Sequence, residues 1–197
     1  MNNPNHPKKG RTIKVEPIRN LNDISSIKNL LKPKPRDYAI FILGINTNLR
    51  ASDILSLTVS QIRNLSIGNT IHLKEKKTQK NRTITINKSV YEALSSLLKT
   101  LHNPQDNDLI FQSQRKSKTL TVPSLNNLVK SWCSSVNLKG NYGSHTLRKT
   151  FGFIHRTVFK TNILYLMDVY NHTNQRQTLS YLCIQPEEIK TVYMKNI

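Results

Sequence analysis

Residues 144–151 read SHTLRKTF and place His145 three positions before Arg148. Residues three apart lie on the same face of a helix, so these two side chains are expected to point to the same side. Gly143 and Ser144 precede them and predict that the pair lies in the first turn of a helix. Free backbone N–H groups and the helix dipole favour an anion at that end. The stretch therefore predicts an anion-binding site, although an HxxR motif alone arises by chance in many helices.

Four more polar residues extend this pattern along the chain. Arg50 begins a predicted helix within the segment NLRASD, and Lys77 lies in a predicted hairpin within the segment KTQK. His172 follows an apolar helical segment, and Tyr181 comes nine residues after it. The order and spacing of the whole set are far more specific than any one of its motifs.

The composition indicates a partner that carries many negative charges. The 197 residues have a formal net charge of +19 and a pI of about 10.2, which favours nucleic acid and, less often, an anionic membrane surface. No apolar run approaches the roughly 20 residues of a membrane span, and the N-terminus lacks the apolar stretch of a signal peptide. Cys133 and Cys183 are the only cysteines, which favours a reducing compartment and argues against a zinc site.

Alternating polar and apolar residues predict two short strands. NTIHL at 69–73 and RTITI at 82–86 have the period of two that is typical of half-buried strands, and a basic segment joins them as a hairpin. Helices are predicted at about 22–31, at 36–46, from about 51, and at 89–101, 123–136, 145–159, 162–169, 174–182 and 187–195, with a further short strand at 109–111. The predicted fold class is α+β, mainly α with one small antiparallel sheet.

The chain divides into a short arm and one domain. Residues 1–16 lack hydrophobic periodicity and carry four Lys or Arg residues before the first acid, Glu16, so we interpret them as a flexible basic arm. The alternative, a disordered start without a function, is equally open. Residues 17–197 are expected to form a single domain with its own core.

The ordered set resembles the catalytic domain of the tyrosine recombinase (phage integrase) family, from about residue 17 to the end. The family motifs are GLRxSE, KTxK, HxLRHTFA and LGH, followed by a Tyr nine residues after that last His. Among the departures of the chain from them, Asn48 and Asn171 replace Gly, Lys149 replaces His, and Gly152 replaces Ala. Asn tolerates left-handed backbone, so both turns are expected to persist. Gly152 inside a helix is expected to cost about 1 kcal/mol relative to Ala.

The resemblance implies a reaction that cleaves and rejoins DNA through a 3′-phosphotyrosine, without a metal, nucleotide or other cofactor. Tyr181 would attack the phosphorus, while Arg50 and Arg148 would hold the non-bridging oxygens with charge-assisted hydrogen bonds. His145 is the expected proton acceptor, and Lys77 is the expected acid for the leaving 5′ oxygen.

Further roles follow from the same resemblance. His172 would donate a hydrogen bond to the phosphate, and Asp53 would orient Arg50. Basic residues near the hairpin and the HxxR helix would contact backbone phosphates of DNA, and they are Lys74, Lys76, Lys80, Arg82 and Lys149. The assignment of Lys77 is the least specific of the set, because other lysines lie beside it.

The expected partner is double-stranded DNA, on which the protein would self-associate as a dimer or tetramer, with no membrane and no small-molecule cofactor. The expected location is the cytoplasm, at the nucleoid in a prokaryote. Two other classes stay open, a catalytically silent DNA-binding relative that keeps the fold and a relaxase like the type IB topoisomerases. A silent binding protein has no need of Tyr181, and the short chain favours a recombinase.

The two ends of the chain leave further alternatives. Family members usually carry a helical core-binding domain before the catalytic domain, and only about 16 residues precede it here. We therefore expect this domain to be absent, in a natural minimal form or in a fragment. The predicted C-terminal helix either docks on a neighbouring protomer, as the resemblance implies, or packs on its own core.

Overall fold

A computed structural model describes residues 15–113, 119–172, 174–184 and 186–196. Within these ranges the chain forms ten helices and one two-stranded antiparallel sheet. This arrangement confirms the predicted class, mainly α with one small antiparallel sheet. Residues 1–14 of the predicted arm lie outside the described residues. Glu16, at its end, already donates its backbone N–H to the carbonyl of Asn141 at 2.8 Å.

The helices and strands follow the predicted order along the chain. They are α1 (Leu21–Leu31), α2 (Pro35–Thr47), α3 (Ala51–Ile54), α4 (Val59–Ile62), β1 (Thr70–Lys74), β2 (Asn81–Thr85), α5 (Lys88–Leu98), α6 (Val122–Ser135), α7 (Ser144–Thr157), α8 (Ile163–Tyr170), α9 (Gln175–Leu182) and α10 (Pro186–Tyr193). Helix α4 was not predicted, because four residues are too few to give a helical period. The strand predicted at 109–111 is only a single bridge between Thr58 and Leu109.

Polar side chains fix the start of several helices. Asn20, Asn87 and Thr121 each accept a backbone N–H from the first turn of α1, α5 and α6, respectively. Such caps satisfy donors that have no partner within the helix and typically stabilise it by about 1 kcal/mol. Helices α1 and α5 each begin one residue before the starts that the sequence predicts.

Helix α2 is the centre of the main core. Residues 39–43 are buried on all sides of the helix, and α1, α5 and α7 pack around it. Phe41 meets Trp132 of α6 edge to face, with ring centroids 6.2 Å apart. Gly44 lets α7 come close, because a Cβ at this position would lie 2.5 Å from the Leu147 side chain. The close approach brings the residue after Leu147, which is Arg148, to the C-terminal end of α2.

The hairpin anchors one apolar face in the main core. Ile71 of β1 lies opposite Ile84 of β2, and both are buried. The backbone N–H of Glu75 donates to the carbonyl of Lys80 at 2.9 Å and closes the turn. Residues 76–80 between them are exposed, so the hairpin holds Lys77 out toward solvent.

A second, smaller cluster holds α8 and α9 against α7. Its buried members are Phe151, Leu166, Tyr170 and Leu182. Tyr181 is partly buried and packs against this cluster. Helix α7 is shared by both clusters, because Leu147 belongs to the main core and Phe151 to the smaller one.

Helix α10 is tied to α7 by an ion pair between Arg156 and Glu188, in which Nη2 and Oε1 are 3.0 Å apart. Ile189, Val192 and Tyr193 are exposed on α10. Two predictions for α10 therefore stay open, namely docking on a neighbouring protomer and packing only on its own chain. None of the helices in the described ranges is long and apolar enough to cross a membrane.

Candidate active site

Arg50 lies at the N-cap of α3, directly after a left-handed turn. The turn is made by Asn48, with φ 56° and ψ 24°. Asn171, which precedes His172 at the end of α8, has nearly the same conformation, with φ 55° and ψ 39°. The expectation that asparagine keeps both turns is confirmed, since Asn adopts this conformation more readily than other residues with a side chain.

Arg148 is buried beneath the site, with 1% of its surface exposed. Its guanidinium donates to the backbone carbonyls of Asn48 and Tyr170, and the distance to Tyr170 is 3.1 Å. It also stacks on the Tyr170 ring, with Cζ 4.8 Å from the ring centroid. Burial lowers the pKa of Arg148 to about 10, and the cations Arg82 and Arg50 add to this effect. Arg148 remains protonated at neutral pH, and a buried charge of this kind favours the binding of an anion.

His172 links this arginine to α9, the helix that carries Tyr181. Its Nε2 lies 3.4 Å from Nη2 of Arg148, and its Nδ1 lies 3.1 Å from Oγ1 of Thr178 on α9. Because arginine only donates, Nε2 must be the acceptor in this arrangement, and Nδ1–H donates to Thr178. Burial lowers the pKa of His172 to about 4, with further contributions from Arg148 and Arg50. The ring is therefore neutral at neutral pH.

His145 reaches the surface at the start of α7. Desolvation by its surroundings lowers its pKa, and the cations Arg148 and Lys77 lower it further. The backbone N–H groups of Gly143 and Ser144 at this helix start already donate, to Thr146 at 3.0 Å and to Asn126 at 3.1 Å. The anion-binding capacity predicted for this turn therefore rests mainly on the side chains of His145 and Arg148.

Tyr181 lies on α9 among the residues that the sequence grouped with it. Its ring centroid is 5.6 Å from that of His172 and 6.5 Å from that of His145. The Cζ atom of Arg148 lies 5.4 Å from the Tyr181 centroid, and the Tyr170 centroid is 5.3 Å away. The fold thus brings Tyr181, from the end of the chain, to both members of the HxxR motif.

An open cleft of about 500 Å³ joins these side chains. Five of the six predicted catalytic residues line it, namely Arg50, Lys77, His145, His172 and Tyr181. Arg148, the sixth, lies behind the cleft against the Tyr170 and Tyr181 rings. The cleft also contains polar residues that the sequence did not single out, among them Ser52, Thr78 and Gln177.

Glu75 is a charged residue of the site that the sequence analysis missed. It is fully buried, with Oε2 2.5 Å from Nη1 of Arg50 and Oε1 3.0 Å from Nη1 of Arg82. Burial acts to raise its pKa, but hydrogen bonds from Thr78, Arg50 and Arg82 outweigh burial and lower the pKa to about 2. The only signal in the sequence is a lone acid within the basic segment KEKKTQK.

The structure contradicts the prediction that Arg82 contacts DNA. Its side chain is buried, and besides Glu75 it donates to the backbone carbonyls of Thr47 at 3.2 Å and Val169 at 2.8 Å. The guanidinium therefore ties β2 to the ends of α2 and α8. Because its donors are used inside the protein, Arg82 supports the site instead of reaching a ligand.

Asp53 has a different main contact from the one expected. Its Oδ2 is 4.0 Å from Nη1 of Arg50, whereas its Oδ1 accepts the backbone N–H of Lys76 at 3.0 Å. Asp53 therefore holds the start of the hairpin turn as well as facing Arg50. Glu75 is the closer carboxylate to that arginine.

The remaining predicted DNA contacts lie at the surface around the cleft. Lys74, Lys76, Lys77 and Lys80 are exposed, and Lys149 is half-buried on α7. Lys77 and Lys80 line the cleft itself. In the part of the chain that the structure describes, no group of three His, Cys, Asp or Glu residues could hold a metal ion.

Comparison with known proteins identifies relatives that match most of the chain. The sequence matches the model of the phage integrase family over residues 12–188. It is 34% identical over 184 residues to a probable integrase/recombinase, YoeC, of Bacillus subtilis (strain 168), covering 91% of this chain and 95% of that protein. It is 29% identical over 169 residues to the tyrosine recombinase XerC of Caldanaerobacter subterraneus subsp. tengcongensis, covering 83% of this chain but 45% of that protein.

Solved structures of tyrosine recombinases share the fold. The XerH site-specific recombinase, in a post-cleavage complex with palindromic difH substrate, superposes with a TM-score of 0.74 at 21% identity, covering 94% of this chain and 53% of that one. The XerA recombinase gives a TM-score of 0.73 at 18% identity, covering 92% and 66%. The chain thus spans about half to two thirds of these solved chains and has the fold of their catalytic domains. With the matched residues 12–188 and the relative of nearly equal length, the chain belongs to the phage integrase family of tyrosine recombinases.

Proposed function

We propose that this protein is a site-specific DNA recombinase that cleaves and rejoins strands through a 3′-phosphotyrosine intermediate. The observation that carries the proposal is the position of Tyr181 in one cleft with Arg50, His145, His172 and Lys77. A phenol beside several cations suits attack on a phosphodiester, in which negative charge grows on the non-bridging oxygens.

The two arginines would serve the developing charge from different sides. Arg50 lies in the cleft wall, where its guanidinium can reach a non-bridging oxygen of the scissile phosphate. Arg148 lies behind the Tyr181 ring and has already lost its hydration, so it interacts strongly with an anion. Donors that are held in place before the reaction typically contribute about 2.7–4 kcal/mol each to lowering the barrier.

Proton transfer would involve His145 and Lys77. The lowered pKa of His145 keeps its imidazole neutral at neutral pH, so it can accept the proton of Tyr181. As the bond from phosphorus to the Tyr181 oxygen forms, the bond to the 5′ oxygen breaks, and Lys77 gives this oxygen a proton. Once the anion replaces its contact with Arg148, His172 would donate to the phosphate from Nε2, with its proton moved there from Nδ1 and the Thr178 hydroxyl donating to Nδ1 in turn. Reversal of the same steps rejoins a strand, because the phosphotyrosine ester conserves the energy of the broken bond.

Double-stranded DNA is the proposed partner, and its backbone supplies the anion. The net charge of +19 and the exposed lysines around the cleft support binding to phosphates, which gives affinity with little sequence information. Strand exchange needs more than one active site, so self-association on DNA, as a dimer or tetramer, is part of the proposal. The proposed location is the cytoplasm, at the nucleoid if the cell is prokaryotic, because the proposed substrate is DNA.

The deciding experiment is covalent capture of DNA. The protein is incubated with a pool of nicked suicide duplexes whose core is randomised, and a denaturing gel is inspected for a protein–DNA adduct. We expect an adduct with the natural sequence and none with Tyr181→Phe. The matched control is Tyr193→Phe, since Tyr193 is 85% exposed on α10 and should leave the adduct unchanged.

Two outcomes would count against the proposal. An adduct that persists in Tyr181→Phe would assign the nucleophile to another residue. Binding of the duplex pool without any adduct would favour a silent DNA-binding protein that keeps the fold.

A further inference from the structure

Glu75 occupies an unusual place for an acid. It follows β1 directly, within a segment where Lys74, Lys76 and Lys77 are all exposed, yet none of its own surface reaches solvent. A buried carboxylate is strongly unfavourable unless it is paired and hydrogen-bonded. Its burial therefore depends on the groups that meet it inside the protein.

Those groups come from three separate parts of the fold. Arg50 approaches from the N-cap of α3, with Nη1 2.5 Å from Oε2. Arg82 approaches from β2, with Nη1 3.0 Å from Oε1. Thr78 approaches from the hairpin turn and donates its hydroxyl to Oε2 at 2.5 Å. One carboxylate thus joins the arginine of the cleft wall to the turn that carries Lys77.

The turn depends on Glu75 through its backbone as well. The Glu75 N–H donates to the carbonyl of Lys80, and the Glu75 carbonyl accepts the N–H of Gln79, both at 2.9 Å. Lys77 lies inside this closed turn, directly before Thr78 and Gln79, which both bond to Glu75. A shift of Glu75 would therefore move Lys77 and Arg50 together.

The charges point in the same direction. Burial lowers the pKa of both Arg82 and Arg148, Arg50 lowers both further, and with Arg82 as a second neighbouring cation the pKa of Arg148 falls to about 10. Glu75, with a pKa of about 2, supplies a constant negative charge among them. Without the negative charge of Glu75, the three arginines would repel one another. The Arg50 side chain would then be able to turn away from its position in the cleft wall.

We infer that Glu75 is a positioning residue for strand cleavage, which holds Arg50 and the Lys77 turn in register with each other across the cleft. This inference rests on the proposed function, since it assigns Arg50 to the phosphate and Lys77 to the leaving oxygen. Glu75 itself touches neither DNA nor a reacting atom. It acts through the two residues that it fixes.

The first test compares Glu75→Gln with the natural protein in single-turnover cleavage at saturating DNA. Loss of a group that orients a metal ligand typically costs about 10- to 100-fold, and by analogy we expect the cleavage rate to fall by about that factor. Glu75→Asp keeps the charge with a shorter reach and should recover part of the rate, and it also serves if the Gln variant folds poorly. Asp37→Asn is the matched control. This substitution also replaces a buried carboxylate that is paired with an arginine, Arg36. Asp37 lies ten residues, or about 15 Å, before Thr47 at the end of α2, so it is remote from the cleft.

A duplex with a 5′-bridging sulfur separates the two linked residues. A thiol leaves without a proton from a general acid, because its pKa is about 8.5, far below that of an alcohol. If Glu75 acts through both Lys77 and Arg50, this substrate should restore part of the cleavage rate that Glu75→Gln loses. The part that is not restored is the loss caused by the displaced Arg50. Equal rates for Glu75→Gln and the natural protein would overturn the inference while leaving the proposed function intact.

Inorganic phosphate gives a test that does not require cleavage. By charge alone, Glu75→Gln should bind phosphate more tightly, because a negative charge is removed from the site. Positioning predicts the opposite, a smaller rise in melting temperature with phosphate than the natural protein shows. Tighter binding by the variant would overturn the inference even if no duplex were ever cleaved, and failure of the natural protein to form an adduct would count against the proposed function alone.

Discussion

A Cβ atom at Gly152 would lie 2.2 Å from the hydroxyl oxygen of Tyr170. That hydroxyl donates to the backbone carbonyl of Arg148 at 2.8 Å, and the Tyr170 ring lies under the Arg148 guanidinium. The small Gly152 therefore leaves the space that the Tyr170 side chain occupies, and the Arg148 guanidinium packs on the Tyr170 ring. The family motifs have Ala at the position of Gly152 and Leu at that of Tyr170, so a smaller residue on α7 accompanies a larger one on α8.

Gly152→Ala should destabilise the protein, although Ala is the better helix former by about 1 kcal/mol. Overpacking against Tyr170 costs about 1–3 kcal/mol and should exceed that gain. Urea unfolding measures the difference, with Ser96→Ala on the exposed face of α5 as the control for helix propensity alone. Adding Tyr170→Leu to Gly152→Ala should recover most of the loss. A double variant no more stable than Gly152→Ala would contradict the shared-space explanation.

Substitutions of Arg82 and Lys80 should separate stability from DNA affinity. Arg82→Met leaves Glu75 with one fewer partner and two carbonyls without their donor, so the free energy of unfolding should fall by about 3–5 kcal/mol.

Lys80→Gln should leave stability unchanged and reduce the slope of log affinity against log salt by about 0.9, the value for one phosphate contact. Fluorescence anisotropy with a duplex at several salt concentrations measures that slope. A folded Arg82→Met protein with the smaller slope would restore Arg82 to the DNA surface.

The pH dependence of stability should report on His172. Its pKa is about 4 in the folded protein, because of burial and the cations Arg148 and Arg50, against an ordinary value of 6.5. As the pH falls, the imidazole is protonated in the unfolded chain before it is protonated in the folded protein. The contribution of neutral His172 to the free energy of unfolding is therefore fully present above about pH 6.5 and is lost as the pH falls toward about 4. His172→Asn should flatten the curve of unfolding free energy against pH in this window. His102→Gln, at an exposed position, should not change it, and an unchanged slope in His172→Asn would refute the assignment.

Removal of residues 1–14 should weaken DNA binding without slowing the chemistry. This segment carries four Lys or Arg residues, and each phosphate contact that is lost should lower the salt slope by about 0.9. Gel-shift titration measures the affinity, and single-turnover cleavage at saturating DNA measures the chemical step. The truncation keeps Glu16 and its bond to Asn141. Unchanged affinity would favour the alternative that the segment has no function.

The order of the polar residues was enough to predict most of the site. Arg50, His145, Arg148, His172 and Tyr181 were grouped because their order and spacing resemble the tyrosine recombinase motifs, and the fold gathers them around one cleft or directly behind it. Each of these residues lies near the start or end of a helix, so the predicted helices also placed them approximately along the chain.

Glu75 and Arg82 were missed or misassigned for different reasons. The burial of Glu75 depends on Arg50, which is 25 residues away, and no local pattern reports such a contact. Arg82 did carry a local signal, because it alternates with Ile84 and Ile86 on the face of the strand that points inward. Its positive charge was given more weight than its position in that alternation.

The unequal size of the two apolar clusters has a consequence for how the protein opens. Helix α9 is held by the smaller one, whose buried members are Phe151, Leu166, Tyr170 and Leu182. Little buried surface means that this helix can separate from α7 in a sub-global opening, while α2 stays folded. In native-state hydrogen exchange, the amides around Tyr181 should exchange through a low-energy opening that depends weakly on urea, whereas those of α2 should require global unfolding. Helix α9, which carries Tyr181, can then be released and redocked while the main core stays folded, and each release would take the Tyr181 ring away from Arg148 and Thr178 away from His172.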